Sequence, residues 1–336
     1  MRPSRRRLLA SAAGALVAAR TWAQPAARRP IRLVVAYPPG GLSDETAREL
    51  AERMGPLLGA SVQVEYRPGA AGALAMEALA RAAPDGLSLV YSAISPLTVL
   101  PHLGPQRFDP LRDIAPVSAV MATPVLVVGT PALAASRFEQ VIDLGRSGST
   151  HLRWASSGVA TTGHLVLEHV RRLSGAAITH VPYKGGGQQI NDALAGHFEL
   201  LSTNMARLQL DYVRQGRLKA LAVGAPARLA ALPDTPTLAE LGYAEANLSS
   251  VFGVFAPGAT PAPELDRLNA ALQRALQAGE LRERMMAAGS LPLGGSRESF
   301  ANLIAAESRS QARLIQSLQA VFDVQPGGGA PAPGRR

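Results

Sequence analysis

The 336-residue chain has no cysteine, which excludes disulfides, thiol catalysis and cysteine-ligated metal, and is compatible with any compartment. Aromatic residues make up only 4% of it. No arginine-rich block alternates with stacking aromatics, so the layout that binds nucleic acid is missing. The formal charge of +9 is misleading, because Arg2, Arg5, Arg6, Arg7 and Arg20 all precede Gln24 in a stretch without acids, and the balance without those five is +4. Several chemical signatures are absent too. There is no Gly-x-Ser-x-Gly elbow, no His-Glu-x-x-His, no phosphate loop ending in Gly-Lys-Ser/Thr and no dinucleotide fingerprint after a strand-like segment. Ser156, Ser157 and His164 lie close together but lack a third, acidic member, and His164, Glu168 and His169 lack metal-site spacing. Neither enzymatic activity nor a metal or cofactor is expected.

What is present begins with a leader. Ser4-Arg5-Arg6-Arg7-Leu8-Leu9 and the apolar stretch to Ala19 have the layout of a signal peptide of the twin-arginine type. Its apolar core is too short to span a bilayer stably. Thr21-Trp22-Ala23 offers small residues at the two positions a signal peptidase reads, so residues 1–23 are expected to be removed and the protein to reside in the periplasm. No other segment resembles a membrane span, so no stable membrane insertion is expected afterwards. A glycine- and proline-rich tail, 323–336, reads as disordered.

The first loop of the mature chain organises the rest. Tyr37-Pro38-Pro39-Gly40-Gly41-Leu42-Ser43-Asp44 follows the apolar run Ile31 to Ala36 and precedes a segment with apolar residues at Ala47, Leu50, Ala51, Met54 and Leu58. This reads as strand, tight loop and helix. The prolines end the ladder, the glycines permit unusual backbone angles, and Ser43 or Asp44 can cap the helix. The free N–H groups of such a loop at a helix N-terminus suit a carboxylate or phosphate. A plain glycine turn would account for this loop alone, but Ser156-Ser157-Gly158-Val159-Ala160-Thr161-Thr162-Gly163-His164 repeats the design, with Thr161 or Thr162 as cap.

Between and after these loops, strands alternate with helices, which implies parallel α/β layers whose ligands sit beyond the carboxyl ends of the strands. Strands are expected at 61–66, 87–92, 152–155, 177–181, 198–201 and 218–223, with helices at 164–173, 188–195 and 206–215. Residues 130–151 carry no assigned element. The runs Val117 to Gly129, broken by Pro124, and Val251 to Ala256 read as two crossings between lobes, a hinge that can close on a ligand. Helical periodicity over 263–277, 280–288 and 297–318 follows. His169 is read as lying on a solvated face.

Five segments in order carry a family resemblance: Val34-Val35-Ala36-Tyr37-Pro38-Pro39-Gly40-Gly41, Arg67-Pro68-Gly69-Ala70, Ala83-Pro84-Asp85-Gly86, His180-Val181-Pro182-Tyr183-Lys184-Gly185, and Leu232-Pro233-Asp234-Thr235-Pro236-Thr237-Leu238-Ala239-Glu240. Together they resemble the Bug/TctC family, the extracytoplasmic solute-binding receptors of tripartite tricarboxylate transport systems. The resemblance runs from about Arg29 to Leu318. It implies a two-lobed periplasmic binding fold of the type II-like class, with each lobe a mainly parallel sheet flanked by helices. Lobe 1 would comprise 29–124 and 251–322, and lobe 2 would comprise 125–250.

It also implies a monomeric receptor that closes on a small carboxylate and delivers it to membrane permease subunits. The alternatives are a ligand-presenting role towards a sensor kinase, or a periplasmic hydrolase. The ligand contacts it implies are Tyr37, Pro39, Gly40, Gly41, Ser43 and Asp44 with Ser92 and Ser95 in lobe 1. In lobe 2 they are Ser156, Ser157, Thr161, Thr162 and His164 with Tyr183, Lys184 and Gly185, together with Thr203 and Asn204. Lys184 reads equally well as a solvent-facing turn residue. Tyr66 stands where relatives commonly have asparagine, the segment from Val99 to Leu103 lacks their usual Asn-Pro, and Thr203 stands where many have aspartate. The last departure removes a carboxylate partner for an ammonium, which points to an acid without one.

Overall fold

The structure is a computed structural model that describes residues 29–277 and 279–323. The expected signal peptide and all but the first residue of the expected tail lie outside the described residues. The N-terminal layer is built from β1 (Ile31–Val35), α1 (Leu42–Leu58), β2 (Val62–Tyr66), α2 (Ala73–Ala80) and β3 (Ser88–Ala93), with β1 paired in parallel to both β2 and β3. Period-two alternation sends Ile31, Leu33 and Val35 to one face of β1, where they join Ala47, Leu50 and Met54 of α1 in one core cluster. Those α1 residues recur at helical spacing, and the helix stops at Gly59, whose left-handed φ of 61° suits glycine.

Short helical turns α3 (Ser95–Thr98) and α4 (Leu100–Leu103) follow and lead to the long strand β4 (Ile114–Gly129). Residues Ile114 to Pro124 of β4 pair antiparallel with β9 (Ser249–Pro257), whereas Val125 to Gly129 pair with β7 (Leu200–Asn204) and β8 (Lys219–Gly224). Pro124 has no N–H to donate, and it sits where the partners change. Pro116 likewise lies at a register shift.

The second layer contains α5 (Phe138–Ser147), β5 (Leu152–Ser156), α6 (Thr162–Ser174), β6 (Ile178–Pro182), α7 (Gly186–Leu194) and α8 (Arg207–Arg214). Strand β5 pairs in parallel with β6 and β7. Its core holds Trp154, with Phe138 edge-on at 6.5 Å. Helix α5 fills the stretch left without an element in the sequence reading. Phe138, Val141 and Ile142 are its buried face, and Gln140 Oε1 accepts the N–H groups of Ser136 and Arg137 ahead of the helix.

The strand expected at 198–201 is found at 200–204 because pairing with β4 carries the ladder through the polar residues Ser202, Thr203 and Asn204. Helices α9 (Ala262–Gln277), α10 (Gly279–Ala287) and α11 (Arg297–Asp323) and the short β10 (Leu291–Pro292) complete the fold. Ile315 of α11 clusters with Val99 from the first layer and with Ala160 and Leu165 from the second. No helix among the described residues is long and apolar enough to cross a membrane.

Candidate functional site

The first loop leaves β1 at its carboxyl end and enters α1 at the N-cap Gly41. Gly40 takes φ of 85°, a backbone region glycine enters without strain. No side chain caps α1 in the ordinary way. Asp44, in the first turn, reaches back so that Oδ2 accepts the Gly40 N–H at 2.8 Å, while Oδ1 accepts from Tyr66 Oη and Arg48 Nε at 2.6 Å each. Burial raises the Asp44 pKa, but those three donors outweigh it and hold the carboxyl below its usual range. Asp44 therefore braces the loop from behind, and Gly40 N–H is consumed in doing so. The N–H groups of Gly41, Leu42 and Ser43 remain at the helix start, where no intrahelical acceptor exists.

The second loop leaves β5 and enters α6 at the N-cap Thr161, whose side chain does not cap the helix as expected. Its hydroxyl donates to the Gly158 carbonyl at 2.7 Å instead. Ser156 is wholly buried, shares a 2.7 Å hydrogen bond with His180 Nε2 and donates to the Gly158 carbonyl. His164 is buried too; its Nδ1 accepts the Ala160 N–H at 3.2 Å, its Nε2 lies 3.4 Å from Glu168 Oε1, and its ring stacks on that of His180 at 4.1 Å. Ala160 is held at φ of 64°, uncommon for a residue with a side chain. This network fixes the loop so that Ser157, Thr161, Thr162 and Gly163 face the space between the layers.

Burial and the neighbouring His164 ring push the His180 pKa down to about 3. Glu168 is raised by burial but held below its usual range by His164 and Arg171. His169, expected on a solvated face, is fully buried, because α6 is covered on that side by the 3-10 turn at Ala244–Ala246 that brings Glu245 within 3.4 Å of it.

Between the loops lies a cleft lined by Tyr37, Gly40, Gly41, Ser43 and Ser95 on one side and by Ser157, Thr161, Thr162, Thr203 and Asn204 on the other. The Tyr37 phenol is pushed up by burial, against a lowering pull from Ser92, the Ala93 backbone and Ser95. Ser92 lies behind Tyr37 and does not line the cleft. Pro39, Asp44, Ser156, His164, Tyr183, Lys184 and Gly185 are also outside the lining, and Lys184 is exposed to solvent. The sequence reading did not select Glu45, Gly163, Gly186, Ile190, Ser202, Ala206, Leu208, Gln209, Ser250 or Phe252, all of which line it. The strand, loop and helix logic that found the first two loops also describes the entries to α7 after β6 and α8 after β7. Four helix N-termini thus open on one cleft, and Glu45 is its only charged lining side chain among the described residues.

The glycine run after Tyr183 has a different task. A Cβ on Gly185 would stand 2.5 Å from Cδ of Pro38, and one on Gly187 would stand 3.1 Å from the Pro39 carbonyl oxygen. Main chain of the second layer therefore lies directly against the first loop, closing one rim of the cleft.

Residues 46–320 match the tripartite tricarboxylate transporter family receptor. Protein BugT of Bordetella pertussis is 34% identical over 290 residues, which is 86% of this chain and 89% of BugT. MatC from Rhodopseudomonas palustris with bound malate superposes with a TM-score of 0.81 at 27% identity, covering 86% of this chain and 99% of MatC. A second R. palustris protein, solved with adipate, gives a TM-score of 0.81 at 27% identity, covering 87% and 98% of the two chains. Breadth of match, shared architecture and the paired loops agree. The chain belongs to the tripartite tricarboxylate transporter receptor family, the Bug/TctC solute-binding proteins, and has their two-lobed periplasmic binding fold.

Proposed function

We propose that this protein is an exported receptor that captures a small organic carboxylate between its lobes and hands it to a tripartite tricarboxylate-type permease, without a covalent step. One observation carries the reading: four helix N-termini face a cleft whose lining has no basic side chain. Such a cleft holds a carboxylate on main-chain N–H groups, and the N-termini of α1 and α6 are its main contributors, assisted by Tyr37, Ser95, Ser157 and Thr162. Charge-assisted hydrogen bonds contribute roughly 1.5–3 kcal/mol each, so four or five, less desolvation and closure, reach the roughly 8 kcal/mol of a micromolar complex. The lobes that close would be 29–124 with 251–322, and 125–250, working as a monomer.

The pairing of Ser156 with His180 argues for structure rather than hydrolysis. The serine is wholly buried, and a histidine with its pKa pushed down to about 3 is a poor general base near neutrality. The lining residues next to Thr203, namely Ser202, Asn204, Ala206, Leu208 and Gln209, carry no charge, which supports an acid without an ammonium group. The test is a thermal-shift screen over organic acids, then calorimetry of hits and analysis of the incubated acid. Stoichiometric stabilisation with the acid recovered intact is expected; turnover, or aspartate bound far more tightly than succinate, contradicts the reading. Export by the twin-arginine route is proposed on the paired arginines, and undiminished export of the Arg5→Lys, Arg6→Lys variant would overturn it.

A further inference from the structure

We propose that the guest is a carboxylic acid with an apolar tail, and that the tail leaves the cleft between Leu42 and Leu208 to lie in a second space. That space is a groove between α8 on one side and α1 with α10 on the other, with an apolar lining of Leu42, Leu208, Leu210, Leu281, Met285 and Ala287. The groove offers about 620 Å³, whereas the cleft encloses only about 60 Å³. The smaller figure is room for about four to six water-sized atoms, which a carboxylate and its first carbons fill. Leu42 and Glu45 of α1 and Leu208 of α8 line both spaces, so the two meet between these side chains. Glu45 and Leu208 are both exposed, which leaves the passage open to solvent. Main chain packed at Pro38 and Gly185 blocks one rim of the cleft, so a longer guest finds its room on the groove side.

The character of the tail follows from the groove. Leu208 and Ala287 are exposed and Leu42 is half-buried, while the almost wholly buried Leu210, Leu281 and Met285 complete the apolar lining. Covering the exposed part is favourable in proportion to the apolar area removed from water. The arginines of the groove are already engaged. Arg284 pairs with Glu49, and Arg207 and Arg214 lie 3.7 and 3.5 Å from Asp211. A second carboxylate on the guest would therefore find no free cation there, and at the passage it would lie beside Glu45, a carboxylate with no ion-pair partner among the described residues. A hydrocarbon tail meets no such opposition.

This inference rests on the carboxylate reading above. Its test is calorimetry of the full mature protein with butyrate, octanoate, suberate and ω-aminooctanoate, on wild type, Leu208→Gln and Ala287→Glu. Octanoate is expected to bind about tenfold or more tightly than butyrate, because each covered methylene adds to affinity. It is also expected to bind more tightly than suberate or ω-aminooctanoate, which carry a charge at the far end of the same chain. Each substitution is expected to lower the octanoate-to-butyrate affinity ratio by about threefold or more. Both positions are exposed, and a ratio taken within one protein does not change with the fraction that is folded. Octanoate no tighter than butyrate, tighter binding of suberate or ω-aminooctanoate, or an unchanged ratio in both variants overturns the groove assignment and leaves the carboxylate reading standing. No binding of any organic acid to wild type overturns the carboxylate reading and this inference with it.

Discussion

Tyr66 donates its phenolic hydrogen bond to Asp44 at 2.6 Å, joining the end of β2 to the first turn of α1 directly behind the Gly40 loop. The same carboxylate receives Gly40 N–H, so a strand end, a helix and the first loop share one acceptor. Tyr66→Phe removes one of its three donors and is expected to lower stability by about 0.5–1.5 kcal/mol. Asp44→Ala removes the acceptor from all three and is expected to cost about 1.5–3 kcal/mol and to weaken ligand binding as well. Urea unfolding and calorimetry check this; unchanged affinity in Asp44→Ala would show that the loop holds its shape without the brace.

If the lobes close on a ligand as proposed, Gly185 is the position that closure would test most directly. Its φ of 163° is ordinary extended backbone, so the need for glycine is one of space rather than angle. Gly185→Ala would drive a methyl group into the Pro38 ring, and close-packed contacts of this kind have no room to give. Ligand affinity is expected to fall about tenfold or more, with the unliganded melting temperature nearly unchanged. Small-angle scattering on the variant with ligand should show a larger radius than liganded wild type; identical profiles would mean that the rim adapts.

Acid should destabilise the protein well before its carboxylates titrate. The His180 pKa falls from 6.5 unfolded to about 3 folded, chiefly through burial, so between those values the unfolded chain binds the extra proton and stability drops as pH falls. Buried His169 is shifted in the same direction, also mainly by burial. Asp44 and Glu199 are raised by burial but lowered overall by their hydrogen-bonded partners, so their contribution is lost only at lower pH, below ordinary carboxylate values of 3.8 and 4.5. Melting temperatures should therefore decline from about pH 6.5 downward, and His180→Gln should flatten that slope while lowering stability at neutral pH through the lost Ser156 bond. An unchanged slope in the variant removes His180 as its source.

The mature chain would contain a single tryptophan, since Trp22 falls within the expected leader and Trp154 is the other. Trp154 is wholly buried on β5, so its emission should lie to the blue and shift red when the second layer unfolds. Trp154→Ala is expected to cost about 3–5 kcal/mol. A red emission maximum in the native protein would contradict the burial.

Legibility in the sequence followed periodicity and turn chemistry. The loops at Gly40 and Ser156 stood out because prolines, glycines and hydroxyl residues separate an apolar run from a helical repeat. Helix α5 was missed although Phe138, Val141 and Ile142 have helical spacing, because it is short and set among serines and glycines that read as loop. Asp44, Ser156 and His164 have the right chemistry for ligand contact, yet side-chain direction places them behind the loops, and direction is not written in spacing. Gln209 carried no signal at all: a glutamine in a short amphipathic helix becomes distinctive only when the fold sets it in the lining of the cleft.

Local rules, then, were enough to decide where strands give way to helices and that free main-chain donors gather at those junctions, because both follow from backbone geometry within a few residues. Which four junctions meet at one cleft, which polar side chains turn inward, and that Pro38 rests on Gly185 were decided only by the fold. Those relations join residues up to more than a hundred positions apart through β4 and β9, and they arise from sheet pairing and packing rather than from any neighbouring sequence.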